Sequence, residues 1–557
     1  MNSSTASSGK SSADQTPTAD KPAQPVHNEY EDAEKNYQPK SLKFWIIMIG
    51  IYLSILLVAL DRTIIATAIP KITDEFNSIE DIGWYGSAYM LATACLFPIS
   101  GRIYQLYSIK WVFLIYLVIF EAGSALCGAA PSSVAFIIGR AIAGLGSAGI
   151  FTGSMVIILP LIPLRKRPIY TSFFGMASGV ASVLGPVMGG AFTDKVTWRW
   201  CFYINLPIGG FTVLAILFLL NIPSPKHEKL TAIAQIKNLD PLGFFFFAPS
   251  MLCLILALQW GGSTYPWSAP KIIGLVVTFA VLLAIFVVIE VLTPGTAMAP
   301  TRVVLNRSVA GSMVFMFLLS GGLMSIVYYL TIWFQAVKGD SAIHSGISTI
   351  PLLLSMVILS IPTAVFTEKI GYYVPALLLS PVLCATSAGL LSTLTPSSDH
   401  SKWIGYQVLY GFGLGCGFQT STLAPQNVLP RIDVPLGMAM IFFMQQLGGS
   451  ISLSVGQNIF SSNLVDRLSG IAGLDAEAIV NTGAIDLRGV VPASELSTVI
   501  DAYGYSLTRV FIMAAALSSC MILGSLAVEW KSIKGKRGSE CSPKTKEAKL
   551  EEGKSEA

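Results

Sequence analysis

Polar positions in this chain gather into short clusters separated by apolar runs long enough to span a hydrocarbon layer, which takes about 20 helical residues. Such runs fall near 44–66, 82–104, 111–130, 135–159, 168–192, 201–221, 241–259, 271–292, 309–334, 343–366, 374–394, 402–427, 435–460 and 509–530. In lipid every backbone N–H and C=O must be satisfied within its own segment. The pattern therefore predicts an all-α integral membrane protein of about fourteen transmembrane helices. Residues 1–43 are polar, read as a disordered tail, and begin with no apolar run that would make a cleavable signal peptide; Phe44 onward is expected to act as an uncleaved signal anchor. The longest polar stretch, 461–508, carries Asp466, Asp475, Glu477, Asp486, Glu495 and Asp501. It reads as a solvated cap, with short helices expected at Ala476 to Val480 and Ala493 to Tyr503.

Composition sharpens the class. The 557 residues are 53% hydrophobic and 12% charged, against about a quarter charged in soluble domains. The net charge of +4 sits largely in the tails, so no nucleic-acid partner is expected. Eight cysteines show neither metal-ligand spacing nor a disulfide framework, and no cofactor or metal is expected. Lys and Arg cluster on one side of the array: Lys40, Lys43, Arg102, Lys110, Arg165 to Arg167, Lys226, Lys229, Lys237, Arg302, Arg307 and the tail from Lys531. By the positive-inside rule both termini are cytoplasmic and 461–508 is extracytoplasmic.

Charges inside apolar runs come next, because burial in lipid costs at least a few kcal/mol unless a partner or a function repays it. Asp61, in L-D-R-T-I-I-A-T-A-I-P, and Arg140, in G-R-A-I-A-G-L-G-S-A-G, fall at similar depth in the outer parts of the first and fourth helices. One reading pairs them, the carboxylate carrying a proton when the pairing changes with conformation. Others make Asp61 and Arg62 a static interfacial cap, or let Arg140 snorkel to the headgroups. Glu121, mid-way along the third helix, is a second proton site or a link between helices. Gly179, Gly185, Pro186, Gly189 and Gly190 share the fifth helix, offering a smooth face for a rigid-body hinge or for plain close packing.

In the second half the intramembrane polar residues are neutral. Gln335, Gln407, Gln419, Gln426, Asn427, Gln445, Gln446, Gln457 and Asn458 can contact an oxygen-rich organic ligand or bond helix to helix. Trp84, Tyr85, Tyr89, Phe442 and Phe443 can line an amphipathic cavity or anchor helix ends at the interface. No G-x-x-x-x-G-K-[ST], H-E-x-x-H or nucleophile elbow with matching partners accompanies the helices, so neither an ATP-driven motor nor a membrane enzyme is expected.

Taken together these motifs resemble the major facilitator superfamily, and within it the fungal fourteen-helix drug:proton antiporters near the toxin-efflux pumps. The resemblance covers about 44 to 530. Asp61 to Ile65 with Ala68 and Pro70 resembles the first-helix motif. Arg140, Gly144 and Gly146 resemble the fourth-helix motif, and Gly185-Pro186-Val187-Met188-Gly189-Gly190 the fifth-helix antiporter motif. Trp198-Arg199-Trp200, followed by Phe202-Tyr203-Ile204-Asn205-Leu206-Pro207, is similar to a sequence typical of the subfamily. The loop Gly101 to Lys110 departs from the gating motif G-x-L-a-D-R-x-G-R-K, with Gln105 in place of the aspartate and Ser108 in place of a glycine. That removes the acid of its charge latch and leaves packing as the way this loop gates. A counterpart recurs at Glu368-Lys369-Ile370-Gly371.

The resemblance implies six-helix bundles at 44–221 and 296–530 joined by a linker helix pair at 222–295, with substrate bound between the bundles and alternating access by rocking. It implies proton-driven export, with Asp61, Arg140 and Glu121 in proton coupling. Gln335, Gln419, Gln426, Asn427, Gln445 and Gln446 are the candidate substrate contacts, and Gly101 and Lys110 the gating loop. The expected partners are a small amphipathic molecule, protons and the lipid bilayer of the cell membrane. A siderophore or basic amino-acid carrier, at the plasma or vacuolar membrane, stands as the alternative reading, with a transporter-like ligand sensor behind it.

Overall fold

The computed structural model describes residues 33–34, 36–78, 81–222, 232–262, 265–469, 491–492 and 495–534. Among these, thirteen helices are long and apolar enough to cross a membrane. In chain order they are α1 (Leu42–Phe76), α2 (Ile82–Leu106), α3 (Ile109–Ala129), α4 (Ser133–Leu161), α5 (Arg167–Lys195), α6 (Trp200–Leu219), α7 (Pro241–Trp260), α8 (Pro270–Leu292), α9 (Arg307–Lys338), α10 (His344–Ile370), α11 (Val374–Leu391), α13 (Arg431–Leu468) and α14 (Leu496–Ala527). The fourteenth, α12 (His400–Gly417), is rich in glycine and less apolar, and it packs on α10 and α11 as a spanning helix does. Short connections force successive helices to alternate in direction. The face on which α1 begins is called proximal here, and the other distal.

Helix ends carry the signals that the sequence provides. Ser132 and Asn306 cap α4 and α9 by accepting backbone N–H bonds. Gly371 ends α10 in the left-handed conformation (φ 88°), where a glycine costs least, and its carbonyl accepts from the Ile533 backbone N–H. Several boundaries lie beyond those read from hydropathy. The first helix runs on to Phe76 because Glu75, polar and outside any apolar run, is held by Trp198 Nε1 and Arg199 Nη2, each at 2.6 Å. Asp61 consequently sits near the midpoint of α1 rather than in its outer part. In the stretch expected at 461–508, α13 continues through Asp466 and Arg467 to Leu468, and α14 starts at Leu496, so Asp501 is helical. The helix expected at Ala476 to Val480 lies outside the described residues, as do most of residues 1–43 and the tail beyond 534.

Packing separates the helices into groups. α1 packs on α5 and α6, α2 on α4, and α3 on α4 and α6; α9 packs on α13 and α14, α10 on α12, and α11 on α12 and α14. α7 and α8 pack on each other, with α7 against α2 and α13, while only 11% of the most apolar stretch of α8 is buried, leaving it to lipid. Glycine makes the close approaches possible. Gly139 and Gly146 seat α3 directly on α4, where a Cβ on Gly146 would lie 2.6 Å from that of Phe120, and Gly144 seats α2. On α5, Gly185 and Gly189 receive Thr63 and Thr67 of α1, and Thr63 Oγ1 donates to the Ala181 carbonyl at 3.1 Å. Gly190, next along, faces open space. Gly179 alone of these five lies on the seam between groups, against Val357 of α10. The glycine motif thus locks α5 to α1 and leaves one smooth contact across the seam.

The halves are tied on the proximal face. A Cβ on Gly101 would lie 2.7 Å from the Ala439 Cβ, so α2 meets α13 almost backbone to backbone. Beside it, Arg102 donates to Gln105 Oε1 (2.5 Å) and to the carbonyls of Asn238 (2.9 Å) and Gly295 (2.8 Å) in the linker. Gln105 Nε2 in turn donates to Asp433 Oδ1 (2.8 Å), whose carboxylate also takes Arg302 at 2.9 and 3.2 Å. The guanidinium of Arg302 is held more firmly protonated by that carboxylate. The expectation that this loop had lost its polar latch is corrected: the acid stands on the opposite half, at Asp433, and an amide at position 105 is what can donate to it. Lys110 lies elsewhere, donating to the Leu217 carbonyl at the end of α6 (2.7 Å). The counterpart in the second half behaves likewise, Glu368 pairing with Lys166 at 2.6 Å.

Two predictions follow from these contacts. Gly189→Val forces a branched side chain into Thr67 and the Ile64 backbone and should cost about 1–3 kcal/mol, read as a lower Tm in detergent, whereas Gly190→Ala, which meets nothing, should leave Tm unchanged or slightly raised. Gln105→Asp replaces a hydrogen bond to a charged group, worth about 1.5–3 kcal/mol, with like-charge repulsion. Amide exchange in 101–107 and 434–440 should rise by about tenfold or more in that variant and return toward the wild type in Gln105→Asp with Asp433→Asn.

Candidate functional site

α1 brings Asp61 to the interior of the first six helices, and α4 brings Arg140 to meet it. Arg140 Nη1 lies 2.5 Å from Asp61 Oδ2, with the side chains 1% and 0% exposed. Complete burial excludes both the interfacial cap and the snorkelling arginine. A carboxylate and a guanidinium are tolerable at this depth because each removes most of the other's desolvation cost. The remaining groups of the pair are also used. Arg140 Nε donates to the Tyr85 carbonyl (3.0 Å), and the guanidinium carbon sits 4.5 Å from the centre of the Tyr89 ring. Asp61 Oδ1 accepts from Asn205 Nδ2 at 3.4 Å, and the same amide donates to Ser124 Oγ at 3.1 Å.

Asn205 belongs to the stretch Phe202 to Pro207, and the mark of its role in the sequence is an amide in the first turns of an apolar helix. Ser124 lies one turn from Glu121 on α3. Glu121 faces Gly209 of α6, where a Cβ would collide with its carboxyl group, and both its oxygens are buried without a hydrogen-bond partner among the described residues. Asp61, Arg140, Asn205, Ser124 and Glu121 therefore form one polar seam through an otherwise apolar bundle. Arg140 and Glu121 stand at its ends, with Asp61 between Arg140 and Asn205.

Arg62 points the other way. With Tyr89, Phe97, Phe151, Phe442, Gln445 and Gln446 it lines a narrow cleft between α1, α2, α4 and α13, about 360 Å³ of space counted out into open solvent. Tyr89 is shared: one side of its ring lies against Arg140, and the residue also forms part of the cleft wall. The cleft spans the two halves of the fold at the depth of the ion pair.

The remaining candidates disperse. Gln419 lines a separate small cleft with Thr171, Ser360 and Thr367 between α5 and α10. Gln426 donates to the Thr422 carbonyl and accepts from Arg167, Asn427 donates to the Lys531 carbonyl, and Gln335 donates to Ser345 Oγ. These three are helix-end and interhelical bonds remote from the cleft, as are Gln407 on the Ser348 carbonyl and Asn458 on Trp267. Among the aromatics, Tyr89 and Phe442 line the cleft. Tyr85 is fully buried, its hydroxyl bonded to Ser78 and Ser133, and Trp84 and Phe443 pack on Trp260 and Phe247 of the linker pair.

Comparisons with known proteins fit this geometry. A profile of the Major Facilitator Superfamily matches residues 51–453. The MFS-type efflux pump MFS1 of Arthroderma benhamiae is 50% identical over 510 residues, covering 91% of this chain and 95% of its own. The efflux pump aflT of Aspergillus parasiticus is 47% identical over 510 residues, 91% of this chain and 99% of its own. Among solved structures, the human organic anion transporter MFSD10 superposes with a TM-score of 0.56 over 86% of this chain and 100% of its own, at 16% identity, a likeness of fold alone. This chain is a multi-pass membrane transporter belonging to the Major Facilitator Superfamily.

Proposed function

We propose that the chain is a proton-driven exporter of a small amphipathic organic compound, a fungal secondary metabolite or toxin, with its proximal face in the cytoplasm of a cell whose plasma membrane it spans. The observation that carries this reading is the buried pair Asp61–Arg140 set directly behind a wall of the inter-bundle cleft. An ion pair with no exposure is bistable. Protonating Asp61 discharges its attraction for Arg140, and the guanidinium is then free to take other acceptors, the Tyr89 ring moving with it. The cleft that binds substrate and the site that binds the proton thus share Tyr89, which couples the two occupancies. Asn205 and Ser124 extend the proton site towards Glu121, a buried carboxyl with no hydrogen-bond partner among the described residues, where a proton can be held between transfers.

Relatives named as efflux pumps support the outward direction. The proximal ties at Gln105–Asp433 and Lys166–Glu368 are the contacts that opening to the cytoplasm would have to break. Gly101 would then act by close packing beside the first of them. The cation of Arg62 in the cleft argues against a basic amino acid as cargo.

The test is accumulation of labelled toxins in cells lacking their own pumps, with and without the protein, before and after an uncoupler. Lower accumulation that the uncoupler erases is the expected result; an unchanged difference after the uncoupler sinks proton coupling. Asp61→Asn should reduce export to background while preserving the fold, since the amide still accepts from Arg140. Arg140→Ala leaves a buried carboxylate alone and should cost about 3–5 kcal/mol of stability. In Asp61→Asn with Arg140→Gln, Tm should recover towards the wild type and export should not.

A further inference from the structure

Among the described residues, Arg62 is the one charged residue in the wall of the inter-bundle cleft. It sits near the middle of a membrane-spanning helix, half buried, with no ion pair or hydrogen bond to any described residue. Its neighbour Asp61 cannot serve it, because that carboxylate points into the bundle and is occupied by Arg140 and Asn205. No acid among the described residues contributes to the cleft wall. An uncompensated guanidinium at this depth is costly, and the cost is relieved by whichever anion enters. The rest of the wall defines the anion's body. Phe97 and Phe442 lie with ring centroids 5.9 Å apart at 36°, 4% and 5% exposed, and Phe151 flanks Phe442 at 5.9 Å, so the wall beside Arg62 is aromatic and apolar. Thr93 and Ser147 bond to each other at 2.8 Å and so are consumed by the wall. The side-chain amides of Gln445 and Gln446 are bonded to no described residue and stay open to carbonyl or hydroxyl groups.

We propose that the cargo is an aromatic organic acid bound as its carboxylate, with Arg62 as its anion-recognising residue and Gln445 and Gln446 contacting its neutral oxygens. A guanidinium fits a carboxylate through two parallel N–H bonds, a geometry that no other side chain in this cleft offers. The inference rests on the cleft being the substrate site of the exporter. It is independent of what drives transport, and the experiment is chosen to keep the two apart.

Purified full-length protein in detergent is titrated with anthracene-9-carboxylic acid and, separately, with its uncharged methyl ester, binding being followed by the probes' own fluorescence with no gradient present. The wild type should bind the acid about 10- to 100-fold more tightly than the ester, the worth of a charge-assisted hydrogen bond. Arg62→Gln should lose that preference while binding the ester as the wild type does, which also shows that the cleft is still formed. Arg62→Lys should keep a reduced preference, since it retains the charge without the fork. Equal binding of acid and ester by the wild type, no saturable binding of the acid, or an acid preference that survives Arg62→Gln would overturn the assignment. Failure of uncoupler-sensitive export with the acid preference intact would sink the proton-driven reading and leave this one standing.

Discussion

Everything distinctive in this transporter depends on the rule that a charge within a bilayer must be compensated. Asp61 and Arg140 obey it by burying each other completely, and the helices around them are built to make that meeting possible. α4 can bring Arg140 so close to α1, α2 and α3 only because its glycines admit neighbouring backbone and side chains at distances that any Cβ would forbid. α5 is then held to α1 through Gly185 and Gly189, at the residues immediately following the ion pair. The charge pair and the small-residue packing are therefore one design. Loosen the packing and the pair loses its exact partner distance; remove the pair and the packing encloses an unpaired charge.

The same rule applied across the seam explains the proximal latch. Water reaches the ends of the helices, so the penalty there is smaller, and a neutral donor meeting a charge is enough. Gln105 supplies the donor and Asp433 the charge, with Arg302 balancing Asp433 from the other side and Arg102 tying the loop to the linker helices. Lys166 and Glu368 form the corresponding tie on the opposite flank. Such ties add directional polar contacts to the apolar packing of α13 on α2, where Val434, Met438 and Phe442 enter the core of the first half.

Much of this was legible in the sequence, and the reason is physical. Charges are so rare in apolar runs that a pair between Asp61 and Arg140 stands among a few readings, beside an Asp61–Arg62 cap and a snorkelling Arg140, and the hydropathy pattern gives the number and order of the helices. What hydropathy could not give is where a helix ends once it leaves lipid. α1 continues through Thr73, Asp74 and Glu75 because Trp198 and Arg199 hold Glu75, and this moved Asp61 from the outer part of the helix to its middle. Nor does residue type reveal facing. Six amides looked equivalent as substrate contacts, yet only Gln445 and Gln446 turn towards the inter-bundle cleft. Gln105 looked like the loss of a latch because its partner lies 328 positions away, on a helix whose register only the fold can set.

Arg62 is the sharpest case, since it adjoins Asp61 and looked like part of the same cap. Successive residues of a helix point about 100° apart, so two neighbours at the same depth can face different worlds. Asp61 turns into the bundle and finds a cation; Arg62 turns into the cleft and finds none. The placement of opposite charges about 100° apart on one turn gives the protein two separate electrostatic sites at a single depth, one closed and self-compensated, the other facing the cleft with no counter-ion among the described residues. In the proposed mechanism a proton on Asp61 changes the charge felt at Arg62 across the width of one helix, before the Tyr89 ring moves with the Arg140 guanidinium. Coupling as proposed here begins as short-range electrostatics and is completed by motion at the seam between the halves, where α5 presents Gly179 to Val357 of α10.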